Sequence, residues 1–356
     1  MVLCLDGVRP SATVCKIMSS SLSIGKRNRL DRVSNSDGVI AALAIDQRSA
    51  LRNLLAKAKA ISAEAVESRM LEEFKEAVSR ILTPHASAIL LDPEYGLSAA
   101  RQRAKNSGLL LAYERTGYDK TIPGRLPHLL DDWSVRRLAD AGADCTKVLL
   151  YYSPFSAEAI NNVKHIWVER VGAECASLEM PFFLELVVYH DEMDEKGPEF
   201  ARIKPQTVIG SLQEFSKPQY GVDIFKVGLP VNMAYVGEQK SAEYAYTPEE
   251  AKQHLRNAAG AAGKPFIYLS EGVSNKTFDE ALQLAGEAGV RFSGVLCGRA
   301  TWKDGVEIYA KDGLDTLEAW LKGEGVENIR RVNKRLSAAR SWRAFYGDVV
   351  KSSPAR

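Results

Sequence analysis

The sequence predicts an α/β fold of the (β/α)8 barrel class, built as a single domain. Three observations lead there: eight short apolar runs, amphipathic stretches between them, and no glycine-rich turn behind the first run. The runs cover residues 39–45, 87–91, 109–113, 145–152, 182–189, 224–231, 266–269 and 292–297. They are too short for helices and apolar at consecutive positions, as parallel strands buried on both faces require. Closing eight such strands into a barrel satisfies every sheet edge. The rival, a doubly wound open sheet, advertises a glycine-rich phosphate turn after strand one, where this chain has Asp46-Gln47-Arg48-Ser49.

In chain order, residues 1–20 are mixed in character, lack an apolar signal-peptide core, and read as a disordered extension outside the fold. The barrel domain is expected over 21–350. Residues 22–32 suit a short helix closing the barrel floor. Helices are then expected over 62–82, 131–141, 156–177, 205–216, 276–288 and 314–322. A further helix begins at Thr247-Pro248-Glu249-Glu250, which offers a cap, a proline in the first turn and acids for the helix dipole. The stretch 228–246 is read as the longest loop, placed after strand six where a barrel would use it as a lid. A terminal helix over 328–349 would carry Ile329, Val332, Leu336, Ala339 and Trp342 on one face.

The chain has 356 residues, 46% of them hydrophobic, and a formal net charge of +2. A balance so near zero, with basic and acidic residues interleaved, gives no field for a polyanion, so nucleic acid is not the expected partner. No run approaches the roughly 18 apolar residues of a membrane span. The five cysteines (Cys4, Cys15, Cys145, Cys175, Cys297) are odd in number and contain no Cys-x-x-Cys, which fits a reducing cytoplasm better than a disulfide framework or a zinc site. The five histidines lack metal-ligand spacing, so no metal is expected.

In a barrel of this class the chemistry projects from the C-terminal strand ends. Here those ends carry Asp46-Gln47-Arg48, Asp92-Pro93-Glu94, Glu114-Arg115, Ser270-Glu271-Gly272 and Gly298-Arg299, while Lys147, Glu185 and Lys226 lie inside strands four, five and six. Charges inside apolar strands are costly unless paired or employed. Three of them on neighbouring strands around one lumen point to imine chemistry: Lys226 as the nucleophilic amine, Lys147 as a neighbouring cation that lowers its pKa, and Glu185 as proton carrier. Ser270, Glu271, Gly272, Gly298 and Arg299 sit where barrels hold phosphate. Asp46, Gln47 and Arg48 could bind sugar hydroxyls.

The segments Ala42-Leu43-Ala44-Ile45-Asp46-Gln47-Arg48, Leu91-Asp92-Pro93-Glu94-Tyr95-Gly96-Leu97, Ala112-Tyr113-Glu114, Lys147-Val148-Leu149-Leu150-Tyr151-Tyr152, Phe183-Leu184-Glu185, Lys226-Val227, Ile267-Tyr268-Leu269-Ser270 and Gly294-Val295-Leu296-Cys297-Gly298-Arg299-Ala300-Thr301-Trp302 resemble the class I tagatose 1,6-bisphosphate aldolases. The resemblance runs over all eight expected strands. It implies a (β/α)8 (TIM) barrel and reversible cleavage of a phosphorylated ketohexose, D-tagatose 1,6-bisphosphate, to dihydroxyacetone phosphate and glyceraldehyde 3-phosphate. Fructose 1,6-bisphosphate stays open as a second substrate. It further implies an imine on Lys226, no metal and no other cofactor, Glu185 as acid/base, and substrate contacts from Asp46, Gln47, Lys147, Ser270 and Arg299. Related barrels that split 6-deoxy-6-sulfofructose 1-phosphate, and a non-catalytic sugar-phosphate sensor, are the alternatives; a homo-oligomer is left open. Two departures stand out. The family's Lys-Val-Glu is Lys226-Val227-Gly228 here, and the small residue after its serine is Glu271. Either an acid has moved to the neighbouring strand, or Glu271 is turned to solvent.

Overall fold

The computed structural model describes residues 22–238 and 244–346; the expected extension over 1–20 lies outside them. Eight parallel strands close in sequence order: β1 Ile40–Ala44, β2 Ala88–Leu91, β3 Gly108–Ala112, β4 Cys145–Tyr152, β5 Phe182–Val188, β6 Ile224–Val227, β7 Phe266–Leu269 and β8 Gly294–Cys297. The helices are α1 Ile24–Arg32, α2 Ser49–Lys59, α3 Ser68–Leu82, α4 Leu97–Gln102, α5 Val135–Asp140, α6 Glu158–Ser177, α7 Pro198–Phe215, α8 Pro248–Ala262, α9 Asn275–Glu287, α10 Arg299–Trp302, α11 Gly305–Trp320 and α12 Val326–Arg335. Thr247 caps α8 in a reciprocal box with Glu250, as its sequence requires.

Alternate strand residues face outward into one large core under the helices, including Leu43, Ile89, Leu111, Val148, Leu184 and Phe225. The others face the lumen, where Ala42, Ala88, Leu110, Phe183, Ile224 and Leu296 fill the lower layers. The floor is sealed by both ends of the described chain. On α1, Lys26 reaches Asp223 at 2.6 Å, and Leu30 and Val33 join the lumen cluster together with Trp342 and Tyr346.

Several boundaries differ from the sequence reading. The helix expected to start at Pro205 starts at Pro198, which takes the first-turn position, and Pro205 lies buried inside α7. α11 begins well before residue 314 and bends at Gly313, whose φ of 82° breaks the periodicity. The short helices α2, α4 and α10 were not foreseen. The longest irregular stretch is 113–134 rather than 228–246, part of which lies outside the described residues. The terminal helix over 328–349 is not continuous: α12 ends at Arg335 and single 3-10 turns follow at Leu336–Ala338 and Trp342–Phe345. The reason is that its apolar residues serve two places. Ile329, Val332 and Leu336 pack in the outer core, whereas Trp342 must reach the floor, where its Nε1 donates to Ser34 Oγ at 2.9 Å. One straight helix could not do both.

Closure falls between β8 and β1, where Gly294 stands opposite Ile40. Gly294 has φ +137°, and a Cβ there would strike the Ile40 carbonyl. Gly294→Ala should therefore cost roughly 2 kcal/mol or more. Urea unfolding that leaves its midpoint unchanged would contradict this account of closure.

Candidate active site

Strand parity builds the site. Cys145, Phe183 and Ile224 face the lumen, so two residues further along each strand Lys147, Glu185 and Lys226 face it too, one layer higher. Likewise Ala44 and Ala112 are lumen residues, and two positions on, just past β1 and β3, come Asp46 and Glu114. Glu185 and Lys226 are register partners across β5 and β6.

The Lys147 ammonium, 1% exposed, sits among three carboxylates: Asp46 Oδ2 at 2.8 Å, Glu114 Oε1 at 2.7 Å and Glu185 Oε2 at 2.7 Å. The same Glu185 oxygen lies 2.7 Å from Lys226 Nζ. Burial alone would lower the Lys147 pKa, but Asp46, Glu114 and Glu185 outweigh it and push it well above the usual lysine range, so Lys147 stays a cation. Burial alone would raise Asp46 and Glu185; Lys147 and Lys226 together hold both below the usual carboxylate range. Glu114 goes the other way. Burial raises its pKa more than Lys147 and Arg48 lower it, and its Oε2 is buried without a hydrogen-bond partner. Of the three acids around Lys147, Glu114 is the one that keeps a proton most readily.

Supports outside the lumen fix this group. Arg48 donates to Glu94 Oε2 at 2.5 Å and to the Glu114 carbonyl at 2.7 Å, tying the end of β1 to the ends of β2 and β3. Beneath it the fully buried Lys75 of α3 pairs with Asp92 and donates to the Ile45 carbonyl at 2.9 Å. Asp92 in turn accepts the Tyr95 N–H at 2.8 Å. The residue just before Asp46 is thereby pinned from behind.

Above the charges opens a cavity of about 1140 Å3, lined by Asp46, Gln47, Lys147, Glu185, Ser270 and Arg299 among others. At its β7–β8 side, Ser270 to Val273 form a turn closed by the Val273 N–H on the Ser270 carbonyl at 3.0 Å. Both central residues are left-handed, Glu271 with φ 47° and Gly272 with φ 80°. Glycine takes that conformation freely, while glutamate holds it at a cost of roughly 1 kcal/mol. The Arg299 guanidinium lies over Gly272, where a Cβ would come within 2.6 Å of its Cζ. Among the described residues no carboxylate pairs with Arg299, so a guanidinium and turn N–H groups stand together without a counter-anion. The Glu271 carboxylate crosses to the top of β6, occupies the space a Cβ on Gly228 would need, and meets Lys204 of α7 at 2.8 Å.

The structure thus gathers Asp46, Gln47, Arg48, Lys147, Glu185, Ser270, Glu271, Gly272 and Arg299 around one cavity. Lys226, 3% exposed, lies beside Glu185, and Gly298 backs onto the Ala44 carbonyl. Glu114, Lys75 and Lys204 were given no role by the sequence reading. Parity could have found Glu114, two residues past Ala112. Nothing local marks Lys75 or Lys204, whose partners lie 17 and 67 residues away. Cys297 is core, its thiol pushed up to about 12 by burial.

Residues 40–304 match the DeoC/LacD family aldolase model. This chain belongs to the DeoC/LacD aldolase family. It is 52% identical over 326 residues to tagatose 1,6-diphosphate aldolase 2 of Enterococcus faecalis, covering 91% of this chain and 97% of that protein. A Listeria monocytogenes tagatose 1,6-diphosphate aldolase is 47% identical, with 91% and 95% covered. Among solved structures, a fructose-bisphosphate aldolase from Plasmodium falciparum aligns at TM-score 0.62 with 13% identity, covering 93% of this chain and 99% of that one. A Schiff-base-forming fructose-1,6-bisphosphate aldolase aligns at 0.50 with 14% identity, covering 83% and 97%. At such identities these two structures speak for the barrel, which in this DeoC/LacD member carries the five-residue charge cluster in its lumen.

The raised Glu114 carboxyl gives a signed pH dependence. Folded protein keeps a proton that the unfolded chain releases above the ordinary value of 4.5, so this contribution is complete below 4.5 and is lost as pH rises through the folded value. Glu114→Gln cannot ionise and should gain in Tm on the parent as pH climbs from 4.5. A Tm difference that stays flat with pH would mean that Glu114 is ionised throughout.

Proposed function

We propose that the chain is a Schiff-base aldolase that reversibly cleaves D-tagatose 1,6-bisphosphate to dihydroxyacetone phosphate and glyceraldehyde 3-phosphate. The observation that carries the reading is the buried Lys226–Glu185–Lys147 row, in which one carboxylate oxygen bridges two ammonium groups. The tagatose 1,6-diphosphate aldolases that resemble it over nine-tenths of the chain supply the substrate class.

In this reading Lys226 passes a proton to Glu185 and attacks the C2 carbonyl as the free amine; the carbinolamine takes up a proton and loses water to form the protonated imine, which draws in the electron pair left when the C4 hydroxyl gives up its proton and the C3–C4 bond breaks. No metal is required, because the protonated imine takes up those electrons. Glu185 carries protons between Lys226 and the reacting atoms, and Lys147 holds Glu185 ionised. Asp46, Gln47 and Arg48 stand on the sugar side. Ser270, Gly272, Gly298 and Arg299 take a phosphate, with Glu271 shaping that end through Lys204. A reducing cytoplasm fits the three described cysteines, all buried free thiols, and no helix among the described residues is long and apolar enough to cross a membrane. The complete cluster argues against a sensor that binds without turnover.

Borohydride with dihydroxyacetone phosphate should leave one covalent adduct, mapping to Lys226 by peptide mass; Lys226→Met should take none and lose at least about 10^3-fold in kcat. An adduct on another lysine, with activity intact in Lys226→Met, overturns the mechanism. The role of Glu271 is read separately. Glu271→Gly keeps the turn and frees Lys204, and should change kcat/KM about tenfold on ketose bisphosphates. Equal values across tagatose, fructose and sulfosugar phosphates would remove the idea of a relocated acid.

A further inference from the structure

Helices on the outside of a barrel normally bury one face and leave the other polar. α8 and α9 do so, exposing Glu249, Gln253, Asn257, Lys276, Glu280 and Gln283. α6 does not. Its inner face is anchored by Val168, Val171 and Cys175 in the core, yet its outer face presents Ala159, Val163, Ile166 and Ala173. Eight large hydrophobic side chains are exposed among the described residues, and four of them gather here: Phe155 at 61%, Val163 at 49%, Ile166 at 47% and Ile122 at 47%. Phe155 leads into α6. Ile122 belongs to the segment laid across its first turn, where Gly124 packs so close to Ile160 that a Cβ would come within 2.5 Å. Half of the large exposed apolar side chains thus lie on or beside one helix, around the exposed Asn162, and apolar groupings of this kind mark interaction surfaces.

The charges on this face indicate what covers it. Glu158 and Arg170 are both exposed and have no ion-pair partner among the described residues. They stand near opposite ends of the apolar stripe, twelve positions apart along α6. Laid antiparallel on a second copy about a two-fold axis between Val163 and Ile166, the stripe meets itself. Val163 falls on the other copy's Ile166, Ala159 on its Arg170, and Glu158 comes within one position of that Arg170. An isologous contact repeats every such pair twice. In this arrangement apolar residues meet at the middle and opposite charges come near each other at both ends. A helix of 20 residues spans about 30 Å, and Phe155 and Ile122 extend the contact beyond it at each end, toward the roughly 800 Å2 per partner that a stable interface needs.

We infer that this protein forms a two-fold dimer through the outer face of α6, with Val163 and Ile166 at its centre, Glu158 paired with Arg170 of the other copy toward both ends, and Phe155 outermost. The interface is built on the outside of the barrel, away from Lys226, and stands whether or not the proposed chemistry is right. Sedimentation velocity of the full chain should give a species of twice 39.1 kDa. Ile166→Glu should give monomer that keeps the parent's circular dichroism and aldol-cleavage rate. Arg170→Glu places two acids together and should weaken dimerisation at least about tenfold, while Glu158→Arg with Arg170→Glu restores it. A tetramer that falls to a dimer in Ile166→Glu supports the same contact. A parent that stays monomeric at about 100 µM, or an oligomer untouched by both Ile166→Glu and Arg170→Glu, overturns it.

Discussion

The interaction on which the rest depends is one ammonium held among three acidic side chains. Lys147 is almost wholly buried, and without Asp46, Glu114 and Glu185 its charge would be untenable in an apolar lumen. The converse also holds, because Lys147, together with Lys226, is what brings Asp46 and Glu185 below the usual carboxylate range against their burial. The four side chains come from the ends or middles of four different strands, so their mutual distances are set by barrel register rather than by any local segment. This explains why effort is concentrated behind the site. Lys75 and Asp92 hold the end of β1, and Arg48 ties three strand ends together.

A second dependence links the β7–β8 side of the cavity to the lysine strand. Glu271 occupies a left-handed position that favours glycine and reaches into space that only a glycine at 228 leaves open. The two positions are a single steric unit: any side chain at 228 would evict the carboxylate and strand Lys204. The strain at Glu271 is thus held in place by packing against β6 and by an ion pair to α7, and the conformation of the Ser270–Val273 turn depends on both.

The eight strands were legible because a barrel strand is buried on both faces, so each reads as an unbroken apolar run whatever its surroundings. Lys147, Glu185 and Lys226 were legible for the same reason, as charges interrupting such runs. Glu114 was visible at the end of strand three but drew no role, because its meeting with Lys147 depends on strand register, and Lys204 is one lysine among many on a helix, distinguished only by a partner in the turn after β7. The C-terminal segment misled because its apolar spacing stays helical past Arg335 although Trp342 belongs to another cluster. Helix α7 misled through Pro205, a residue that usually opens a helix and here sits inside one.

The floor carries a consequence for traffic. With α1, Trp342 and Tyr346 packed around Asp223 at the N-terminal end, the cavity above Lys147 opens at the opposite end of the strands. In the proposed reaction one substrate would enter at that end and two fragments would leave there, with the water that releases the second arriving by the same face. Entry, exit and hydration would then share one rim, and whatever narrows it would slow all three.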